Sequence, residues 1–149
     1  MLGFFTTHLM AGPKFEKTIT LSASPEAVWR AIADPKLVEQ YHLAPLRKIE
    51  LKLGGAIEYG TAEKLMISGT ISESDPHRKL VHTFRFEAQK GATQDPETKV
   101  TWLLKEKAPG TTELTLIHEG FAEENQTYAN ITGGWPFILD GLAGVLKGQ

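Results

Sequence analysis

The sequence predicts an α+β fold: a curved antiparallel sheet of about seven strands, with two short helices after the first strand and one long C-terminal helix across its concave face. Three observations lead to this prediction. Much of the chain between residues 14 and 119 consists of short runs that alternate apolar and polar side chains, as half-buried strands do. Two short helical patterns follow the first of these runs. Residues 128–146 repeat apolar side chains at intervals of three and four, the spacing of an amphipathic helix.

The first strand and the two short helices are predicted from the start of the regular part of the chain. Residues 14–21 alternate apolar and polar side chains. A helix follows, with Ser24 as its N-cap and Pro25 at its first position, where proline is favoured. Asp34 ends this helix and is the predicted N-cap of the second, shorter one.

Six further strands are predicted after the second helix. Turns rich in glycine or proline separate several of them, at residues 54–55, 75–78 and 108–110. Short connections between consecutive strands imply an antiparallel meander, and the twist of a long meander curls the sheet. The predicted strands are Leu46–Leu53, Ala56–Gly60, Leu65–Ser72, Leu80–Glu87, Val100–Lys105 and Glu113–His118.

The last helix carries an apolar stripe that needs a surface to cover. Pro136 lies within this segment, and proline in a helix interior costs about 3 kcal/mol. The helix is therefore predicted either to begin near Pro136 or to be kinked there. Trp135 lies beside Gly133 and Gly134, which carry no side chains. A large ring next to missing side chains fits a helix that closes a cavity, and equally one that fills a core.

Composition and charge exclude several classes of function. The 149 residues include no cysteine, which rules out disulfide frameworks, thiolate zinc sites and cysteine nucleophiles. The formal net charge is −2, so neither nucleic acid nor an anionic membrane is an expected partner. The chain has no apolar run long enough to span a bilayer and no signal-peptide pattern. We expect a cytoplasmic protein with one domain over residues 13–149 and a loose leader or extra edge segment over residues 1–12.

Several short motifs follow one another in a recognisable order. They are Ser24–Pro35 (SPEAVWRAIADP), Leu53–Gly55, Gly69–Leu80, Val100–Trp102, Thr112–Leu116, His118–Phe121 and Gly134–Pro136. In their order and spacing the chain resembles the START-like (SRPBCC, birch-pollen-allergen-like) superfamily. Within it, the chain is most similar to the family named after the C-terminal domain of the activator of the ninety-kilodalton heat-shock chaperone ATPase. The resemblance implies the helix-grip fold, in which the sheet wraps around the C-terminal helix. In one departure, Tyr41-His42 stands where family members often carry two tryptophans.

Inward-facing aromatic and histidine side chains are the candidate binding residues. His82 and His118 lie on the apolar faces of two strands that are separated by the strand of Trp102. Such histidines either contact a polar ligand group, act as acid and base near neutral pH, or are buried and hydrogen-bonded to a neighbour. We predict that a small hydrophobic or amphipathic ligand binds in a cavity between the last helix and the sheet. The predicted ligand-binding residues are Tyr41, His42, His82, Phe84, Trp102, His118, Trp135 and Leu139.

The sequence leaves two other functions open. One is an enzyme of the cyclase or hydrolase kind, as some START-like proteins are, with His82 or His118 as general base. The other is a protein-interaction or chaperone-assisting module with an exposed apolar patch on the outer sheet face, where Val81, Leu103 and Ile117 lie. These three side chains could instead form the contact of a homodimer. No cofactor or metal is expected, because no ligand spacing marks a metal site.

Overall fold

The computed structural model describes residues 12–88 and 91–147, so nearly all of the predicted leader lies outside the described residues. The order of elements is the predicted one: a strand, two short helices, six strands and a long helix. Their bounds are β1 (Phe15–Leu21), α1 (Pro25–Ala33), α2 (Pro35–Val38), β2 (Leu46–Ile49), β3 (Ala56–Gly60), β4 (Leu65–Asp75), β5 (Lys79–Phe86), β6 (Thr98–Ala108), β7 (Thr111–Glu119) and α3 (Gln126–Lys147).

The seven strands form one antiparallel sheet in the order β1-β7-β6-β5-β4-β3-β2. Strands β2 to β7 are neighbours in chain order, which confirms the predicted meander. The first strand pairs with the last, and Phe15 lies opposite His118. A bulge interrupts the register between Ile71 and Glu73 in β4. Bulges of this kind bend a strand and increase its twist, which helps the sheet to curve around a helix.

Local hydrogen bonds explain where the short elements begin and end. Both predicted N-caps are confirmed, because Ser24 Oγ accepts from the Ala27 N–H at 3.2 Å and Asp34 Oδ1 accepts from the Lys36 N–H at 2.9 Å. Strand β2 is shorter than predicted and ends at Ile49 rather than Leu53. The reason is a tight turn just beyond it, in which the Lys52 N–H donates to the Glu50 carbonyl at 2.8 Å.

Of the two alternatives predicted for the last helix, a start near Pro136 is wrong, because α3 runs without interruption from Gln126 to Lys147 with Pro136 in its interior. Two side chains accept from N–H groups in its first turn. Asn125 Oδ1 accepts from the Tyr128 N–H at 2.9 Å. Asp95, from the loop between β5 and β6, accepts from the Thr127 N–H at 3.0 Å. An N-terminus held in this way lies more than two turns before the proline. Pro136 removes one hydrogen bond from the helix interior without ending it.

The main core lies between α3 and the inner face of the sheet. The side chains that α3 buries include Ile131, Trp135, Leu139 and Leu142. They belong to the same apolar cluster as the inward residues of the strands and of α1. The helix is therefore fixed by burial along most of its length, which offsets the hydrogen bond lost at the proline.

The outer face of the sheet does not carry the predicted exposed patch. Val81 is buried, and Leu103 and Ile117 are only partly exposed. Charged neighbours on the same face lie beside them: Glu73 is opposite Val81, Lys79 is opposite Leu103, and these two charged side chains form an ion pair at 3.2 Å. The large apolar side chains that are exposed in the described residues include none of these three; they are Leu43, Leu51, Leu53, Met66 and Phe137.

Candidate functional site

A pocket of about 510 Å³ lies between α3, the loop after α2 and strands β4 and β5. This volume is in the range of sites that bind small molecules. At its mouth, Leu43 and Phe137 are 60% and 61% exposed. The wall is mostly apolar, and its residues are His42, Leu43, Ile67, Phe84, Phe86, Asn130, Ile131, Gly133, Gly134, Trp135, Phe137 and Ile138.

Two glycines of α3 keep this pocket open. A Cβ atom added at Gly133 would meet nothing within 4 Å, and one added at Gly134 would lie 3.6 Å from Leu43 Cδ1, an ordinary contact. Packing therefore does not require glycine at either position. Glycine in a helix interior costs about 1 kcal/mol relative to alanine. The helix thus carries two unfavourable residues at the place where side chains would fill the pocket.

Trp135 forms part of the pocket wall, and His118 holds its ring in place. The indole Nε1 of Trp135 donates to His118 Nδ1 at 2.9 Å. The proton of this imidazole is therefore on Nε2, which donates to Thr98 Oγ1 at 2.7 Å. The Thr98 hydroxyl in turn donates to the Phe84 carbonyl at 3.2 Å. A continuous chain of hydrogen bonds thus runs from α3 to the backbone of β5.

A second tryptophan–histidine pair lies next to the first. The indole Nε1 of Trp102 donates to His82 Nε2 at 3.1 Å, and His82 Nδ1 donates to the Thr83 carbonyl at 2.8 Å. The rings of Trp102 and Trp135 meet edge to face, with their centroids 5.6 Å apart. In both pairs each nitrogen of the imidazole has a protein partner.

Burial keeps both histidines neutral. It lowers the pKa of His82 to about 4. Burial, with a smaller contribution from His82, lowers the pKa of His118 to about 3. The two side chains are 1% and 0% exposed, and neither belongs to the wall of the pocket. A general base must reach the proton that it removes, so this geometry argues against His82 or His118 as the base for a pocket ligand. It supports the interpretation of buried histidines that are hydrogen-bonded to neighbours.

Among the described residues, His42 is the histidine that lines the pocket. Its ring stacks on Tyr59 with centroids 4.5 Å apart and meets Trp135 edge to face at 6.3 Å. His42 Nδ1 accepts from the Ala44 N–H at 3.0 Å, so the proton of the neutral ring is on Nε2. Burial, and secondarily the proximity of His82, lowers the pKa of His42 to about 4. The neutral ring is the form present at pH 7.

The eight predicted binding residues fall into two layers. His42, Phe84 and Trp135 line the pocket. The other five lie outside its wall, and in part support it; they are Tyr41, His82, Trp102, His118 and Leu139. Tyr41, for example, packs against Gly141 of α3 and donates its hydroxyl to the Ala31 carbonyl at 2.7 Å.

The sequence reasoning missed one face of α3. Asn130, Gly133, Gly134 and Phe137 all line the pocket, and they follow the i, i+3, i+4, i+7 spacing of one helical stripe. This stripe lies next to the buried one. It combines one polar side chain, two glycines and one apolar side chain, so a pattern of apolar residues does not reveal it. The glycine pair was the visible signal.

Residues 12–88 and 91–147 contain no group of three or more side chains of the histidine, cysteine, aspartate and glutamate types that could hold a metal ion. No helix in these ranges combines the length and the hydropathy needed to cross a membrane.

A family sequence model matches residues 22–147, and the family is described as Activator of Hsp90 ATPase homolog 1-like protein. No curated protein matches the chain.

Solved structures share the fold at low sequence identity. A Mesorhizobium loti protein is 23% identical, with a TM-score of 0.76 over 91% of this chain and 97% of that one. An HSP90 activator from Plasmodium falciparum is 20% identical, with a TM-score of 0.72 over 90% and 96% of the two chains. The Aha1 dimer from Colwellia psychrerythraea is 14% identical, with a TM-score of 0.68 over 90% and 96%. Similarity at this level establishes the fold alone.

Proposed function

The chain belongs to the family of Activator of Hsp90 ATPase homolog 1-like proteins. We propose that this member of the family binds a small hydrophobic or amphipathic molecule in the pocket between α3 and the sheet. His42, Phe84 and Trp135 contact the ligand in this proposal. The five predicted residues behind the wall set its shape, because they fix the positions of the helix and of Trp135.

The observation that carries this proposal is the apolar pocket of about 510 Å³, which Gly133 and Gly134 leave unfilled. A Cβ atom at Gly133 would meet nothing within 4 Å, so the missing side chain leaves space for a ligand. Sites for small molecules are typically apolar cavities of this size with few polar groups.

The test is binding of N-phenyl-1-naphthylamine, an uncharged apolar dye whose fluorescence rises in an apolar environment. Gly133→Leu places a side chain at the pocket, whereas the matched variant Gly144→Leu places the same side chain at an exposed position of the same helix, where a Cβ atom also meets nothing within 4 Å. We expect wild type and Gly144→Leu to bind the dye and Gly133→Leu to lose most of its affinity. Equal binding by the two variants would contradict the proposal.

The rim of the pocket supports a second candidate function, a contact with a second copy of the chain. Leu43 and Phe137 are large, apolar and more than half exposed at adjoining positions of the mouth. Such side chains favour a partner surface. Sedimentation velocity of the wild type and of Phe137→Glu tests this candidate. A dimer that the substitution dissociates is expected, and a wild type that stays monomeric at all concentrations would contradict it.

A further inference from the structure

The polar groups in the wall of the pocket limit which ligands it can bind. Building on the proposed function, we propose that the occupant is a flat apolar molecule that carries one uncharged hydrogen-bond acceptor, such as a ketone, aldehyde or ester carbonyl, and that His42 Nε2–H is the donor that binds this acceptor.

The tautomer of His42 follows from its neighbour. A backbone N–H donates and never accepts, so the bond from the Ala44 N–H at 3.0 Å requires a lone pair on Nδ1. The proton is then on Nε2. Within the described residues this nitrogen makes no hydrogen bond, and yet no buried side-chain nitrogen or oxygen there lacks a partner. This points to an accessible His42 Nε2. The ring packs between Tyr59 and Trp135 and lines both the pocket and a second one beside Asp140 and Gly141. We assign the Nε2–H to the first pocket, whose wall is the more apolar of the two.

The rest of the wall explains why the acceptor should be uncharged. Among the described residues, the polar side chain in the wall besides His42 is Asn130, which is exposed at the rim and accepts from Gln126 Nε2 at 3.0 Å. Trp135 has already used its N–H on His118. The described wall residues include no lysine or arginine. A carboxylate or phosphate would lose its hydration without gaining a counter-charge, which is costly in an apolar site.

The shape of the wall favours a flat molecule. Aromatic rings contribute much of the surface, from His42, Phe84, Phe86, Trp135 and Phe137. Rings of this kind pack best against other rings, by offset stacking or edge to face. A neutral donor within an aromatic wall, with the exposed Asn130 amide only at the rim, fits a ligand that is a ring system with a single carbonyl group.

The test compares three naphthalenes of nearly equal size that differ in one group. They are 2-acetylnaphthalene, which has a carbonyl, 2-isopropenylnaphthalene, in which a methylene replaces the carbonyl oxygen, and 2-naphthoate, an anion. Each is titrated against N-phenyl-1-naphthylamine bound to the full chain. We expect the ketone to bind roughly two- to tenfold more tightly than the alkene, the worth of one net hydrogen bond, and the anion to bind most weakly.

Two substitutions at His42 test the donor and the fold of the loop. His42→Phe keeps a ring against Tyr59 but has no donor, so the ketone and the alkene should bind it equally. His42→Asn preserves the local fold in another way, because an asparagine Oδ1 can accept from the N–H two residues on, as Nδ1 does from Ala44. Its amide is still a donor, so this variant is the control for the loop and should keep binding the dye.

The outcomes separate this inference from the proposed function. If the dye binds and Gly133→Leu blocks it, but the ketone and the alkene bind wild type equally, only the inference about the acceptor is overturned. A ketone preference that survives His42→Phe overturns the assignment of the donor, and tightest binding by 2-naphthoate overturns the uncharged acceptor. If neither the dye nor any naphthalene binds, the proposed function itself fails.

Discussion

Trp135 on α3 donates its indole N–H to His118 Nδ1 on β7 at 2.9 Å, and both side chains are almost completely buried. The bond ties the helix that forms one wall of the pocket to the sheet that forms the other. A buried indole N–H without a partner is unfavourable, and so is an imidazole nitrogen in the same position. The pair therefore fixes both the orientation of the Trp135 ring and the protonation state of His118.

Replacing His118 by phenylalanine should destabilise the protein by about 1–3 kcal/mol, since the Trp135 N–H loses its acceptor and the Thr98 hydroxyl, which keeps its bond to the Phe84 carbonyl, loses its donor. Urea unfolding gives the change in free energy, and near-ultraviolet circular dichroism gives the change in the tryptophan environment. His77→Gln, which changes an exposed histidine, serves as the control. An unchanged midpoint for His118→Phe would show that the hydrogen bond contributes nothing.

Stability should fall as the pH is lowered from about 6.5 towards 4. Burial lowers the pKa of His42 and His82 to about 4 and that of His118 to about 3 in the folded state. An unfolded histidine has a pKa of about 6.5, so between these values the unfolded chain binds more protons than the folded one. Acid therefore favours unfolding, by up to about 1.4 kcal/mol per pH unit for each histidine.

Urea unfolding at a series of pH values between 7 and 5 measures this slope. Most carboxylates stay ionised in this window, so histidines dominate the change. The wild type should lose stability steadily below pH 6.5. His118→Phe, with one fewer titrating group, should show a shallower dependence. A free energy of unfolding that stays constant from pH 7 to pH 5 would rule out buried neutral histidines.

Two glycines of α3 should respond to alanine in opposite directions. A Cβ atom at Gly141 would lie 2.8 Å from Tyr41 Cβ and 3.3 Å from the Tyr41 carbonyl oxygen, so Gly141→Ala forces the loop away from the helix. The cost of such overpacking is about 1–3 kcal/mol. At Gly144 nothing lies within 4 Å, and Gly144→Ala should stabilise the helix by about 0.5–1 kcal/mol. Thermal unfolding of the two variants in parallel is the measurement, and shifts of the same sign would contradict the packing of Tyr41 on Gly141.

The hydroxyl of Tyr41 should contribute about 1 kcal/mol through its bond to the Ala31 carbonyl of α1, which is 2.7 Å long and buried. Tyr41→Phe removes this bond and keeps the ring. Urea unfolding should show that loss, with little change in dye binding, because Tyr41 lies outside the wall of the pocket. A large drop in dye affinity would instead indicate that the bond positions the loop of His42.

The elements that the sequence predicts correctly are those whose signals are local. Ser24 and Asp34 cap helices because a short polar side chain reaches an N–H only two or three residues away. Gly54 adopts a φ of 82° in the turn before β3, a conformation that glycine favours. The alternation of side chains decides which face of each strand is buried, because successive residues point to opposite faces. These rules need no knowledge of the rest of the chain.

The start of α3 and the walls of the pocket depend on residues that are distant in sequence. Asp95, in a loop 32 positions before Thr127, accepts a hydrogen bond from the Thr127 N–H in the first turn of the helix, and no local sequence pattern indicates this contact. The inward face of β5 likewise carries both His82 and Phe84, yet Phe84 reaches the pocket while His82 is closed off by Trp102.

The sequence by itself determined which residues point inward, because that depends on a period of two or of 3.6 residues along one element. Only the tertiary structure decided which of them meet a cavity, since that depends on how far α3 stands from the sheet and on where Gly133 and Gly134 leave space. It also decided the roles of the histidines. His82 and His118 each accept from an indole N–H across the core and use both ring nitrogens in hydrogen bonds, while His42 bonds only through Nδ1 among the described residues.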